Sequence, residues 1–181
     1  EPWYSVTGTV MREGERVEDT GGLGAELFGI PQGSTMYRPL IIAGRWLSPD
    51  ETGRVAVISR DTAEFNGLNV GDTITINLGD LGEADFQVVG TYQAISPDVF
   101  STDPIYAPAM AVVDVTRHAN RANQVVIRAS DGSPAATEHL MQGLDQYLKS
   151  YNMEVSPFFS RTKAQDRLYA FNTFNIVNQM L

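Results

Sequence analysis

Two histidines, His118 and His139, are the side chains in this sequence best suited to binding a metal ion or to moving protons. They lie on different predicted elements, and neither has a second metal ligand three or four residues further on, which is the spacing that a helical site needs. We therefore predict that each histidine is a surface or half-buried side chain. The sequence predicts no metal site.

The densest carboxylates are Asp61 with Glu64, and Asp80 with Glu83 and Asp85. Two of them could converge as a general acid and a general base. However, helix starts and hairpin turns are positions where carboxylates already act as caps and keep the surface soluble. We therefore predict no catalytic residue and no enzyme activity for this chain.

The sequence contains no complete phosphate-binding or calcium-binding motif. The Gly-Leu-Gly at residues 22–24 is too short for a phosphate cradle and is not followed by Lys-Ser or Lys-Thr. Asp98 and Asp103 could hold calcium together with nearby carbonyls, but the spaced Asp-x-Asp-x-Asp pattern is missing. We therefore expect no cofactor. Because there is no Walker motif, any ATP hydrolysis is expected on another subunit or domain.

The composition is that of a folded, acidic domain. Of 181 residues, 43% are hydrophobic and 19% are charged, and the net charge of -9 would repel nucleic acid. There is no cysteine, which excludes disulfides and thiolate chemistry. No run approaches the roughly 20 apolar residues of a membrane span. The sequence lacks an initial methionine and stops inside an uncharged helical pattern, so we expect it to be part of a longer protein.

Hydrophobic periodicity predicts a mixed order of strands and helices. A short helix should be capped by Ser59 or Asp61, run to Phe65 and stop at Gly67. A longer helix should begin at Ser133 and bury the apolar face formed by every fourth residue. Strands are expected at residues 3–11, 25–30, 55–58, 73–78, 84–92, 111–113, 124–128 and 153–156, and the run at residues 38–42 leads to Gly44.

Four turn residues are expected to shape tight corners. Gly44, Gly71 and Gly90 should take backbone conformations or close contacts that a Cβ would obstruct. Asp72 should accept a hydrogen bond from a turn amide. Their predicted role is architectural.

Trp46 admits two interpretations. Beside Arg45 it could anchor a binding partner, because aromatic and arginine side chains dominate interface energies. A large side chain at a strand edge, followed by Leu47, more often packs in the core, and we favour that interpretation.

The helical pattern at the end of the sequence carries Phe171, Phe174, Val177 and Leu181 and has no charge from residue 168 onward. Asparagine and glutamine keep one face polar, so the pattern is amphipathic and not membrane-spanning. This helix could be a lever that leads to a membrane, or it could pack on its own domain. The spacing alone leaves both interpretations open.

The order of these segments resembles one family. Gly-Arg-Trp-Leu at residues 44–47 precedes a loop with proline and aspartate, and the strand at residues 55–58 follows. A short helix then ends near Gly67, before the corner Val70-Gly71-Asp72, and Val-Val-Gly closes a later strand at residues 88–90. This order resembles the extracytoplasmic core domain of MacB/FtsX-type ABC transporter permeases. The resemblance covers the middle third of the sequence in detail and the flanks by general layout.

The resemblance implies an α+β core domain over residues 1–160 with two lobes. One would be an α/β lobe, containing a strand–helix–strand unit, from about residues 1–44 and 97–160. The other would be an inserted, β-rich lobe from about residues 45–96. A stalk-like helix at residues 161–181 would lead toward a transmembrane segment.

In function, the resemblance implies a permease subunit whose outer domain transmits conformational change or handles a substrate or partner outside the membrane. The expected partners are a cytoplasmic ATPase, a second permease chain and an extracytoplasmic protein, with no nucleic acid. The protein would lie in the cell membrane with this domain on the extracytoplasmic side, periplasmic or extracellular. The alternative is a free-standing secreted ligand-binding module that grips a glycan or peptide with residues 96–108.

Overall fold

The computed structural model describes residues 1–18, 24–94, 102–129 and 131–153. These residues divide into two compact units, one that ends at Val126 and one that begins at Ile127. The first unit contains all of the strands in the described residues, and the second contains one long helix.

Nine strands, three α-helices and a 3-10 turn at Gly79–Leu81 occur in the described parts of the chain. The strands are β1 (Pro2–Arg12), β2 (Glu15–Arg16), β3 (Ala25–Ile30), β4 (Ile41–Gly44), β5 (Val55–Ser59), β6 (Thr73–Asn77), β7 (Glu83–Tyr92), β8 (Asp103–Pro108) and β9 (Gln124–Val125). The helices are α1 (Arg60–Phe65), α2 (Ala109–Thr116) and α3 (Pro134–Ser150).

The strands of the first unit form one sheet that closes on itself. β1 pairs with β3, β3 with β8, β8 with β5 and β5 with β7. β6 then pairs with both β7 and β1, which completes the circuit. Closure leaves few free strand edges, and β4 lies outside the circuit along β7.

Alternation along the strands separates two hydrophobic cores. In β5, Ala56 and Ile58 belong to the first core, while Val57 between them belongs to the second. In β8, Ile105 likewise joins the first core and Tyr106 the second. Because successive side chains of a strand point to opposite faces, the two cores lie on opposite faces of the sheet.

Local capping explains where two of the helices begin. The Ser59 hydroxyl oxygen accepts a hydrogen bond from the Thr62 amide at 3.1 Å, which confirms the predicted cap of α1. Ser133 accepts from the Ala136 amide at 3.2 Å, and Pro134 supplies the first residue of α3, as predicted. No residue of α3 is buried, so the expected core face is only half-buried.

The predicted strand at residues 111–113 is wrong, because these residues lie in α2. Valine favours strands locally, but this segment packs on β3 at a position where β3 has no side chain. A Cβ on Gly29 would lie 3.1 Å from Ala109 Cα and 3.3 Å from Val112 Cβ. The missing Cβ lets the helix approach closely and bury Ala111 and Val112, so tertiary packing overrides the local preference.

The α+β class is confirmed, but the division into two lobes is not. β5, β6 and β7 fall within the expected inserted lobe, yet they pair with β8 and β1 from outside it. The strand–helix–strand unit is reduced to the two-residue β9 followed by α3, and most of the second expected strand lies outside the described residues. The stalk-like helix at residues 161–181, with Phe171, Phe174, Val177 and Leu181, also lies outside them.

A membrane-crossing helix is not found in the described ranges: none of their helices has both the length and the apolar character that a span requires.

Candidate functional site

The histidines and carboxylates, which could bind a metal ion or transfer protons, are spread over the described residues. No group of three or more histidines or carboxylates in the described residues could hold a metal ion. His118 Nδ1 is hydrogen-bonded to the Tyr4 hydroxyl at 2.7 Å, while His139 is exposed on α3. In the β6–β7 hairpin, Glu83 accepts from Asn77 at 2.6 Å, which is a cross-strand surface pair.

The corner motifs, by contrast, come together at the end of β4, where it pairs antiparallel with β7. Gly44 has a φ of +69°, and a Cβ there would overlap the Val89 carbonyl oxygen and approach Gly90. On the other side, a Cβ on Gly90 would overlap the backbone of Arg45. The Arg45 amide donates to the Val89 carbonyl at 2.9 Å. Two glycines therefore permit a backbone contact that any side chain would prevent.

The Val-Gly-Asp turn joins the same corner. The Gly71 amide donates to the Val88 carbonyl at 2.7 Å, and the Val88 amide donates to the Asp72 carbonyl at 2.8 Å. A Cγ atom of Val70 lies 2.9 Å from the place where a Cβ on Gly44 would stand. We name this cluster of residues 44–47, 70–72 and 88–90 the glycine corner.

Three residues in and just before the turn shape its backbone. The Asp72 carboxylate accepts a hydrogen bond from the Asn69 amide at 2.8 Å. Gly67, which follows α1, and Gly71 have φ values of +59° and +104°. These are left-handed conformations that glycine adopts at little cost.

Trp46 and Arg45, in the glycine corner, make different kinds of contact. The Trp46 ring packs on the second core, with its centroid 5.3 Å from that of Tyr106 and 6.0 Å from that of Tyr37. Arg45 forms a salt bridge with Glu51 at 2.7 Å. Trp46 is half-buried, so its ring is both a core contact and part of the surface.

A second arrangement lies where the chain enters and leaves the first unit. β9 pairs antiparallel with the start of β1, with Pro2 opposite Val125, and the Val126 amide donates to the Glu1 carbonyl at 2.9 Å. The entering and leaving strands therefore lie side by side at one edge of the unit. We name this pairing the terminal junction.

One asparagine side chain fastens the terminal junction. Asn123 Oδ1 accepts from the Ser5 amide at 2.9 Å, and Asn123 Nδ2 donates to the Ser5 carbonyl at 2.9 Å. The side-chain amide thus occupies the place that a strand backbone would take. The Ser5 hydroxyl in turn donates to Glu26 on β3 at 2.6 Å. Sequence reasoning missed Asn123, because a single asparagine in a loop resembles an ordinary turn residue.

The comparisons with known proteins agree with this architecture. A family model described as "MacB-like periplasmic core domain" matches residues 2–144. The chain belongs to the MacB-like periplasmic core domain family. The matched range of this MacB-like domain runs from β1 into α3, so it includes both the glycine corner and the terminal junction.

Among solved structures, the MacB-like domain is similar to the periplasmic region of MacB from Actinobacillus actinomycetemcomitans. The TM-score is 0.53 at 20% sequence identity, which indicates a shared fold. The alignment covers 81% of this chain but 65% of that chain, less than two thirds of its length. The search of curated proteins gave no match.

Proposed function

We propose that this MacB-like domain is the extracytoplasmic part of an ABC transporter permease subunit, where it passes conformational change between the membrane and the outside. Family membership supports this proposal. The observation that carries it is the terminal junction, in which Pro2 lies opposite Val125. A domain held between two membrane segments needs its entering and leaving strands on one side, and this pairing supplies that arrangement.

The closed sheet supports a mechanical role over a passive one. Its circuit of paired strands makes the first unit resistant to bending, so a movement applied at the terminal junction would displace the whole unit. Asn123 binds both backbone groups of Ser5 and so resists separation of the two strands. Force applied to either strand would be shared by both.

The remaining parts of the proposal concern the rest of the transporter. In it, residues 161–181 form the coupling helix toward a transmembrane segment, with Phe171, Phe174, Val177 and Leu181 on its apolar side. A cytoplasmic ATPase and a second permease chain complete the complex, and the domain faces the extracytoplasmic side. Any substrate or outer protein partner that this domain handles would bind on the same extracytoplasmic side.

Labelling of the full-length protein tests the location. The chain contains no cysteine, so Asp80→Cys at the exposed hairpin turn introduces the only thiol of this domain. Any cysteine elsewhere in the full-length protein is replaced by serine. We expect a membrane-impermeant maleimide to label Asp80→Cys in cells with a permeabilised outer envelope, and the protein to sediment with membranes. Recovery in the soluble extracytoplasmic fraction would instead support the secreted ligand-binding module, and labelling only after lysis would refute the orientation.

A second experiment tests transmission. We expect Asn123→Ala to change ATP turnover of the complete transporter in proteoliposomes, although the substitution lies far outside the ATPase. Arg121→Ala is the matched control, because Arg121 is exposed in the same loop and the described residues offer it no hydrogen-bond partner. Equal turnover in the parent and both variants, with the fold intact by circular dichroism, would argue against transmission through the terminal junction.

A further inference from the structure

A cleft of about 260 Å³ lies in the first unit between the loop after β3 and the segment after β4. We name it the loop cleft. Its apolar wall contains Ile30, Trp46, Leu47 and Pro108. It is smaller than typical sites for drug-sized ligands, so its volume suits a body of about amino-acid size.

The aromatic wall of the loop cleft is held in place from behind. Trp46 packs against Tyr106, which is buried, and against Tyr37, with centroid distances of 5.3 and 6.0 Å. The ring therefore cannot turn away without opening the second core. A fixed aromatic face at a cleft binds an apolar body without the entropic cost of ordering a side chain.

Two charged side chains line the loop cleft, and in the described residues only one of them has a partner of opposite charge. Glu51 lines it, but the Arg45 guanidinium neutralises its carboxylate at 2.7 Å. Arg38 also lines it, is exposed, and has no carboxylate partner in the described residues. In a chain with a net charge of -9, the mouth of the loop cleft therefore carries one cation whose charge is not balanced locally.

Two hydroxyls add polar capacity at the same place. Ser48 Oγ accepts from Arg45 at 3.2 Å and Ser34 Oγ accepts from the Met36 amide at 3.3 Å, so each hydroxyl hydrogen remains to be donated to an anion. An arginine pairs with a carboxylate through two parallel hydrogen bonds, which gives orientation as well as affinity.

We propose that the loop cleft binds a carboxylate attached to a short apolar or aromatic body, with the body against Trp46 and the carboxylate on Arg38. Such a group occurs in acylated amino acids and at the carboxyl end of a peptide. This ligand site is independent of the mechanical role proposed above, because it uses only residues of the loop cleft.

Fluorescence titration of this chain with N-acetyl-phenylalanine tests the site. Trp46 lines the cleft, whereas Trp3 is buried and donates to Glu1 at 2.9 Å, so a change in emission reports on Trp46. We expect a saturable change that N-acetyl-phenylalanine amide, which lacks the carboxylate, produces at least about tenfold more weakly. Loss of the change in Trp46→Phe locates the signal.

Two variants distinguish the effect of the Arg38 charge on binding from an effect on folding. Arg38→Gln should weaken binding at least about tenfold, whereas Arg121→Gln, an exposed arginine remote in sequence from the cleft, should leave it unchanged. Both should keep the melting temperature of the parent. Equal binding of acid and amide, equal binding by Arg38→Gln, or no saturation would overturn the proposal. A peptide that ends in phenylalanine distinguishes the sources: tighter binding than the acylated amino acid indicates a peptide end, and equal binding indicates a small molecule.

Discussion

Replacing Gly44 with alanine should destabilise the domain strongly, because two separate costs apply at this position. Its φ of +69° is left-handed, which costs an L-residue roughly 1–2 kcal/mol. The new Cβ would also overlap the Val89 carbonyl and approach Gly90, and fixed backbone atoms cannot rotate away. Overpacking of this kind costs about 1–3 kcal/mol. We therefore expect Gly44→Ala to lower the free energy of unfolding by about 2–5 kcal/mol.

Two other glycines separate these costs. Gly71 has a φ of +104° but open space around its Cβ position, so Gly71→Ala should cost only the strain of roughly 1–2 kcal/mol. Gly71→Val adds a β-branched side chain and should cost more than the alanine variant. Gly53 has open space and no left-handed φ, so Gly53→Ala is the control, expected to be neutral or slightly stabilising.

Urea unfolding followed by circular dichroism measures all three alanine variants. The slope of the unfolding free energy against urea should stay constant, and the loss should fall in the order Gly44, Gly71, Gly53. Because 1 kcal/mol shifts the melting temperature by about 2–4 °C in a protein of this size, Gly44→Ala should lower it by about 4–20 °C. A Gly44→Ala variant as stable as Gly53→Ala would show that β4 moves aside freely, and would refute the account of the glycine corner.

Three further outcomes follow from single contacts. Asn123→Ala should lower the free energy of unfolding by about 1–3 kcal/mol, because it leaves the Ser5 amide and carbonyl without a partner. Urea unfolding measures this loss, and an unchanged urea midpoint would contradict it. Burial, and after it the nearby tyrosines, raises the pKa of Tyr106. The parent should therefore lose stability as the pH rises above about 10, and Tyr106→Phe should lose less. The same dependence of stability on pH in the parent and in Tyr106→Phe would argue against this. The hydrogen bond and charge of Arg54 lower the pKa of Asp114, so its stabilising contribution is present above about pH 4 and disappears as the pH falls through the lowered pKa. The stability difference between parent and Asp114→Asn should therefore shrink in acid, and a constant difference would exclude the charge as its source.

Local signals predicted much of this fold. The cap at Ser59, the helix start at Ser133 and the positive φ of Gly71 each depend on a few neighbouring residues, so the sequence contains the necessary information. The three motifs of the glycine corner were recognisable in order. Their convergence at one place was not, because it depends on the register in which β4 pairs with β7.

Long-range pairing explains what sequence reasoning missed. β6 alternates apolar and polar residues as any half-buried strand does, and nothing in that pattern shows that it pairs with β1 as well as with β7. The expectation of an inserted lobe came from the family resemblance, and the alternation in β6 could not test it. The first part of α2, where a strand was expected at residues 111–113, was missed for a related reason, since the space that Gly29 leaves on β3 is visible only in three dimensions.

The closed sheet has one sparsely paired seam, between β5 and β8, and aromatic residues of the second core pack over it. β5 and β8 share a single paired position, Val57 opposite Tyr106, whereas the other pairs of the circuit share at least two. Tyr92 on β7 reaches across to β8, where its hydroxyl donates to the Pro104 carbonyl at 2.8 Å. Trp46 packs on Tyr106 from the surface side. The aromatic residues of the second core thus add contacts between strands where the seam has few backbone bonds. The transmission proposed for the terminal junction requires the first unit to move as one body, and these contacts favour that.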